Sequence, residues 1–304
     1  METRSTMQNS LDKTLNSLIE IGLKNFNKTE HGMILDKTYH RTTSKHAYEK
    51  DGMLIGGGLL LPKYEGLTPQ QDSLTDGDKK TYTHTTYSAY FRVTMEAVQD
   101  DMFAVLDRKS YTQRLNHMLM LTYEYSMGGD YDGGYTTTTT ADGYSLYNAS
   151  HPIQRTGLTA SNTSTPTALS ETSIKAARLN LKRTLSPEGM PMGYVLKTLL
   201  VPPELYDTAD IIINSSKRAG TSDNDKNTLQ SDNLEILESP FLSSTTGYHC
   251  LSSKSLLANK FYMRMEPFYS SKTDDLTGDQ IHMVVVRFSH GWTDWRGTYG
   301  NEGA

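Results

Sequence analysis

Apolar positions near the start of the chain follow a helical period. They recur at spacings of one, three or four residues, at Leu11, Leu15, Leu18, Ile19, Leu23 and Phe26. This pattern predicts an amphipathic helix of about four turns. Residues 27–52 are polar and weakly patterned. We expect them to form an extended arm that lies on a neighbouring surface and does not fold on itself.

Two β-prone stretches follow, separated by a polar segment at residues 65–77 that is rich in Gly, Pro and Asp. On the second stretch apolar residues alternate with more polar ones, at Tyr87, Ala89, Phe91 and Val93. Such alternation is typical of a half-buried strand. We predict a long hairpin whose tip projects from the body. Because an isolated two-stranded hairpin is marginal in water, we expect a partner to hold it.

A long helix is predicted next. Its apolar stripe consists of residues three or four apart, at Tyr111, Leu115, Met118, Thr122 and Tyr125, and Gly128 and Gly129 are expected to end it. A helix of about 18 residues would be near 30 Å long, enough to cross a domain. We interpret its Met and Tyr side chains as core packing and not as a cofactor site.

The second half of the chain mixes helices and strands. Residues 135–167 are Ser- and Thr-rich and predict surface loops or short edge strands, and Ser170 is the predicted N-cap of a helix whose apolar residues are Ile174, Ala177, Leu181 and Leu185. The stretch "VLKTLLVPPELYDTADIIINSS" then predicts a strand, a tight corner and a helix. Further strands are expected near residues 234–237, at "YHCLSS" and at "KFYMRMEPF". Residues 281–288 are apolar on both faces, which predicts the middle of a sheet.

Composition limits the class of protein. The 304 residues are 36% hydrophobic and 21% charged, with a formal net charge of -5 and a mean hydropathy of -0.56. No apolar run of about 18 residues and no signal-peptide layout occurs, so we expect a cytoplasmic protein without a transmembrane helix. Cys250 is the single cysteine, which excludes an internal disulfide and a cysteine zinc cluster. The acidic balance excludes the basic face of a nucleic-acid binder.

The strand-to-helix corner at Pro202 and Pro203 is where open α/β enzymes usually bind a ligand. Neither proline has an N–H to offer an anion, and the glycine-rich phosphate-binding motifs are missing from the chain. Two prolines instead fix the start of the helix. We therefore interpret this corner as rigid scaffolding.

Other residues give no pattern of a catalytic or metal site. His31 and His290 lie beside glycines without metal-ligand spacing. Asp130 and Asp132 faintly resemble the opening of a calcium loop, but alanine stands at its twelfth position, where a glutamate is required. His249 and Cys250 are adjacent on a predicted strand, so their side chains point to opposite faces. We expect no enzyme activity, no cofactor and no metal.

The order of these parts resembles a known family. "YSAYFRVTMEAVQDDMFAVLDRKSYTQRLNHMLMLTYEYSMGGDYDGG" looks like the passage from extended loop to spine helix in the major capsid proteins of tailed bacteriophages with the Hong Kong 97 phage fold. "YNASHP" and "LSETSIKAARLNLKRTLSPEGMPMGYVLKTLLVPPELYDTADIIINSS" are similar to the Mu-like head subunit branch. The resemblance covers residue 52 to the C-terminus, and its order of motifs is more specific than any single motif.

The resemblance implies an α+β fold with four parts. They are an N-terminal arm at residues 1–51, an extended β-hairpin loop at 52–80, a peripheral domain with the spine helix at 81–134 and 260–304, and an axial domain at 135–259. It implies that copies assemble in the host cytoplasm into hexamers and pentamers of an icosahedral shell, the virion capsid, around double-stranded DNA that is not bound sequence-specifically.

Partners and alternatives complete the expectation. We expect a portal and a separate scaffolding protein, and the resemblance allows a decoration protein; no membrane is involved. The alternatives are an encapsulin-like compartment shell and, behind it, an α/β hydrolase-type enzyme. The candidate assembly contacts lie in the arm, in the hairpin and on the strand after it: Leu15, Leu18, Ile19, Phe26, Lys63, Tyr64, Asp76, Lys79, Lys80 and Arg92.

Overall fold

The computed structural model describes residues 33–69, 71–100, 108–217 and 226–304. The predicted amphipathic helix at residues 11–26 lies outside them. The helices of this part are α1 Met33–Thr38, α2 Met95–Gln99, α3 Arg108–Asp132, α4 Glu171–Arg183 and α5 Pro203–Asn214. The strands are β1 His40–Thr43, β2 Tyr48–Ile55, β3 Thr75–Thr83, β4 Thr85–Val93, β5 His151–Pro152, β6 Thr159–Ala160, β7 Leu196–Val201, β8 Glu235–Glu238, β9 Tyr248–Ser252, β10 Asn259–Thr273, β11 Gln280–Trp292 and β12 Thr298–Asn301. None of the described helices combines the length and apolar character that a bilayer crossing requires.

The first sheet has the strand order β1-β10-β11-β4. The apolar run at residues 281–288 lies in β11, an interior strand, as predicted. Its two faces differ, however. Val284, Val286 and Phe288 are buried, whereas the alternate residues Met283 and Val285 are only half-buried. The buried face packs against α3, and we call the opposite face the outer face of this sheet.

Helix α3 is longer than predicted, and its buried stripe differs. It continues through Gly128 and Gly129 to Asp132, and Met118 and Tyr125 are exposed, so the predicted stripe is wrong at both positions. The buried residues recur every fourth position, at Leu115, Leu119, Tyr123, Met127 and Tyr131. A step of four residues winds slowly around a helix with 3.6 residues per turn. The stripe therefore follows a changing set of neighbours along the helix.

Residues 33–43 fold onto the body of the same chain, contrary to the expected arm. Ile34, Leu35 and Tyr39 are buried in the main core, and β1 pairs in parallel with β10. The reason is local: "MILDKTY" supplies enough apolar surface to pack on α3, although the segment around it is polar.

The second sheet has the order β12-β9-β7-β8 and is covered by α4 and α5. Ser170 caps α4 through a capping box, as its sequence predicted. Ile174, Ala177 and Leu181 are fully buried, whereas Leu185 follows the end of the helix and is half-buried. Strand β12 pairs with β9. Residues near the C-terminus thus complete this sheet, whereas the resemblance placed them in the domain of the first.

The predicted hairpin exists, but its second strand is β3 and not the stretch after it. Strand β2 pairs with β3 in antiparallel register, whereas β4 pairs with β11 in the first sheet. The alternation of Tyr87, Ala89, Phe91 and Val93 is confirmed as the pattern of a half-buried strand. One connecting residue, His84, separates the two strands and is buried.

The Ser- and Thr-rich stretch at residues 135–167 is less superficial than predicted. It contains the short β5–β6 pair, but Leu146, His151, Ile153 and Asn162 are fully buried. Asn162 donates through Nδ2 to the carbonyl of Leu146, at 2.7 Å. Hydrogen bonds of this kind satisfy polar groups in an irregular segment and let it pass through the interior.

Candidate assembly surfaces

The strand-to-helix corner is built as the sequence predicted. Pro202 occupies the N-cap of α5 without a side-chain hydrogen bond, and Pro203 is the first helical residue. Leu199, Leu200 and Val201 on the preceding strand are fully buried. The corner therefore holds α5 against the second sheet.

His249 and Cys250 lie in separate surroundings, as their strand positions require. The His249 ring stacks on Tyr147, with centroids 5.3 Å apart, whereas Cys250 belongs to the second core cluster. Burial lowers the pKa of His249 to about 3 and raises the pKa of the Cys250 thiol to about 12. At neutral pH the thiol is protonated, which is the state of a packed cysteine and not of a nucleophile.

Asp130 is the centre of a half-buried polar cluster at the junction of α3 with the first sheet. Its Oδ2 accepts hydrogen bonds from the Tyr39 hydroxyl at 2.8 Å and from His290 Nδ1 at 2.6 Å. Asp132 accepts the backbone N–H of Ser243 at 2.7 Å. Over the described ranges, His, Cys, Asp and Glu side chains form no group of three that could bind a metal ion. His31 lies outside these ranges.

The base of the hairpin is fixed to the body by polar contacts. Thr293 Oγ1 lies 2.7 Å from the Tyr82 hydroxyl and donates to Asp51 Oδ2 at 2.6 Å. Lys80 donates to the carbonyl of Thr139, and burial lowers the pKa of its ammonium group, opposed by Asp130. These contacts determine the direction in which the hairpin leaves the body.

The tip of the hairpin exposes a run of apolar side chains. Leu59, Leu60 and Leu61 are consecutive, and Leu60 is 99% exposed. Tyr64 is also exposed, as is Lys63. These leucines are not among the candidates predicted from the sequence, although "GGGLLLPK" signals them as an apolar run beside three glycines in a projecting segment.

The other described candidates have partners within the chain. Lys79 pairs with Asp76 on the hairpin at 2.6 Å. Arg92 on β4 pairs with Asp279 at 2.7 Å and with Asp274 at 2.9 Å, which raises the pKa of the guanidinium. The candidates Leu15, Leu18, Ile19 and Phe26 lie outside the described residues. A role of any of these residues in assembly stays a prediction.

Polar contacts also join the hairpin to the loops before β7. Asp72 accepts backbone N–H groups of Gly57 at 2.8 Å and Gly58 at 3.3 Å and pairs with Arg155 at 2.7 Å. The Arg155 hydrogen bond is the largest of the causes that hold the pKa of Asp72 below its usual range. Glu188 accepts the N–H of Gly56 at 2.8 Å. The tip leucines are therefore presented on an anchored loop.

Two apolar surfaces lie on the body. An open cavity of about 740 Å³ runs along α3, with Tyr87, Tyr125 and Phe241 among its lining residues. The second surface is the outer face of the first sheet, where Tyr90 is 66% and Phe268 is 57% exposed. Large exposed apolar patches are typical of sites where proteins associate. The chain thus exposes three apolar surfaces: the hairpin tip, the cavity along α3 and the outer face of the first sheet.

Comparisons with known proteins cover most of the chain. A family model described as phage capsid protein matches residues 77–301, and a search among curated proteins finds no match. The capsid of cyanophage P-SCSP1u has a TM-score of 0.62 at 10% identity, covering 89% of this chain and 88% of that chain. A structure from Mycobacterium phage Patience gives 0.57 at 12% identity, covering 97% and 88%. The SrpI encapsulin of Synechococcus elongatus gives 0.54 at 8% identity, covering 90% and 88%.

Proposed function

Because this chain belongs to the phage capsid protein family, we propose that its copies form the hexamers and pentamers of an icosahedral shell around the double-stranded DNA of a tailed phage. The protein is a major capsid protein, a structural component of the virion. The family match over residues 77–301 is the observation that carries this conclusion.

The exposed leucines of the hairpin support a role in assembly. Leaving three consecutive leucines in water is unfavourable, since burying each one is worth roughly 1.5–3 kcal/mol. The described part of the chain provides no cover for Leu60. Contact with a second copy would remove this apolar surface from water. We therefore propose that the hairpin joins neighbouring subunits.

We assign the parts of the subunit as the resemblance implies, except where residues pack or pair with another part. The arm is residues 1–32, the extended loop is residues 52–80, and the peripheral domain contains α3 and the first sheet. The axial domain contains the second sheet, α4 and α5. Residues 33–43 join the peripheral domain because they pack in its core, and β12 joins the axial domain because it pairs with β9.

Further parts of the proposal concern the setting of assembly. The similarity of "YNASHP" and "LLVPPEL" to Mu-like head subunits supports that branch. A separate scaffolding protein and a portal would direct assembly in the host cytoplasm, and a decoration protein is compatible with the fold. The net charge of -5 suits a container, because a strongly basic wall would bind the genome through counterion release.

An encapsulin-like compartment is the second candidate, and the likeness to the SrpI encapsulin favours it. The full-length chain should be expressed and sized, since a monomer has a mass of 34.1 kDa. Shells or capsomers would support both candidates, and a stable monomer would exclude both. Particles recovered from infected cells then separate them, since a capsid contains phage DNA and a compartment contains a cargo protein.

A further inference from the structure

Two arginines lie side by side on the outer face of the first sheet. Arg287 on β11 is opposite Met265 on β10, where a register shift follows Met263. Met263 is buried in the core, and the register shift leaves Arg264 as an extra, half-buried residue between Met263 and Met265, next to Arg287. The charges of both arginines act on buried His84: burial is the first cause of its lowered pKa, and Arg287 and Arg264 add to it against the opposing effect of Glu49.

Both arginines are half-buried, and the described residues supply no acceptor for the Nε atom of either one. In the part of the chain that the structure describes, neither Nε atom finds a hydrogen-bond partner, although both atoms are shielded from solvent. Neither guanidinium takes part in the ion pairs of this part, unlike Arg92 on the neighbouring strand. An unsatisfied buried donor is unfavourable, and a guanidinium is shaped to receive a carboxylate through two hydrogen bonds.

An apolar strip continues from this arginine pair along the outer face. Along β11 the strip consists of Val285, Met283 and Ile281, all half-buried. Phe268, which pairs with Val285, and Tyr90, which pairs with Met283, widen it. A matching ligand would carry a carboxylate at one end and bulky apolar side chains over the next 20 Å or so, the length of six residues of strand.

The tip of the hairpin has this composition. Glu65 is exposed and belongs to none of the ion pairs of the described residues, whereas Asp72 and Asp76 are already paired. Leu59 is as many residues from Glu65 as Ile281 is from Arg287. The carboxylate and the leucines of the tip are thus separated by as many residues as the arginines and the far end of the apolar strip.

We propose that Arg264 and Arg287 form a carboxylate-binding site that Glu65 of a second copy completes, while its leucines cover the apolar strip. This inference rests on the proposed shell function and identifies one contact that would build the shell. A carboxylate fits better than DNA phosphates, because nucleic-acid binding draws on many basic contacts, and the acidic residues of this chain outnumber the basic ones.

Charge reversal tests the site in the full-length chain. The variants are Arg264→Glu with Arg287→Glu, Glu65→Arg, and the combination of all three; Lys197→Glu, an exposed residue on the second sheet, is the control. Shells are counted by sedimentation and electron microscopy. We expect at least a tenfold loss of shells in each reversed protein, recovery in the combination and normal shells in the control.

The outcomes separate this inference from the proposed function. If the wild-type chain forms neither shells nor capsomers, the proposed function fails. If it forms shells and Glu65→Arg forms as many, the function stands and the carboxylate site is wrong. Should the arginine variant fail to fold, the shell yield of Glu65→Arg still tests the site, because a substitution at this exposed position should leave folding unchanged. Normal shells that lose only their DNA after arginine reversal would overturn the site by assigning it to phosphates.

Discussion

At the scale of single residues, two adjacent glycines on α3 have different roles. A Cβ at Gly128 would lie 2.9 Å from both Cβ and the carbonyl oxygen of Phe241, whereas a Cβ at Gly129 would meet nothing within 4 Å. Gly128 is therefore needed for the close approach of the loop at Phe241. Gly129 only lowers the helix propensity of its position.

This contrast predicts opposite effects of the same substitution. Gly128→Ala should lower the free energy of unfolding by roughly 1–3 kcal/mol, because the methyl group forces the Phe241 loop outward. Gly129→Ala should raise it by about 0.5–1 kcal/mol, as alanine does in helices. Urea titration of the two full-length variants measures both values. Equal stability of the two variants would contradict the close packing at Phe241.

A second residue, Glu124 on α3, makes stability depend on pH. It is buried, and burial raises its pKa to about 8 against the opposing hydrogen bonds from the backbone of Leu35 and Ile34. The folded state therefore favours the protonated acid. The stability linked to this group is fully present below the ordinary glutamate pKa of about 4.3 and is lost as the pH rises through about 8.

Glu124→Gln should remove this dependence, because the amide is neutral at every pH. Above pH 8 we expect the variant to be more stable than the wild type by on the order of 5 kcal/mol, with little difference under acidic conditions. Urea titrations across this pH range measure the effect. The exposed Glu266→Gln is the control and should leave the pH profile unchanged; a variant profile parallel to the wild type would refute the assignment.

At the scale of elements, a change at the hairpin tip should affect assembly without affecting folding. Replacing Leu59, Leu60 and Leu61 with serine should leave the melting temperature unchanged, since these side chains are already exposed. The same change should reduce the yield of shells because the apolar contact surface is lost. Leu276→Ser is the matched control, since Leu276 is 96% exposed on another turn. Sedimentation of both proteins gives the result, and equal shell yields would contradict the role of the tip.

The elements also show what sequence patterns can predict. The strand of residues 281–288, the capped helix after Ser170 and the proline corner followed from local periodicity and capping chemistry, and the structure confirms them. The predicted end of α3 at Gly128 and Gly129 was wrong. A glycine inside a helix lowers stability only slightly when a neighbouring loop packs against it, as the loop at Phe241 does. The partner of β4 is the distant strand β11, so local sequence patterns could not identify this pairing.

The candidate assembly surfaces were predictable only in part. The sequence indicated a projecting hairpin, which the structure confirms as β2 and β3. The sequence pattern did not indicate the arginine pair, because Arg264 and Arg287 are far apart along the chain and meet only when β10 pairs with β11. The sequence also offered no sign that Arg92, a candidate assembly contact, pairs with Asp274 and Asp279 in the turn after β10.

At the scale of the whole molecule, burial within one chain is incomplete. The body has two sheets with packed cores, yet the hairpin tip and the outer face of the first sheet leave apolar side chains in water. A shell built from many copies would satisfy both surfaces at once. The stability of this protein should therefore depend on its concentration and on its state of assembly.

Electron cryomicroscopy of the purified full-length protein tests the central claim most directly. We predict closed icosahedral shells composed of hexamers and pentamers, with the hairpin of each subunit lying on a neighbouring copy. A uniform population of 34.1 kDa monomers under conditions where the chain is folded would contradict it.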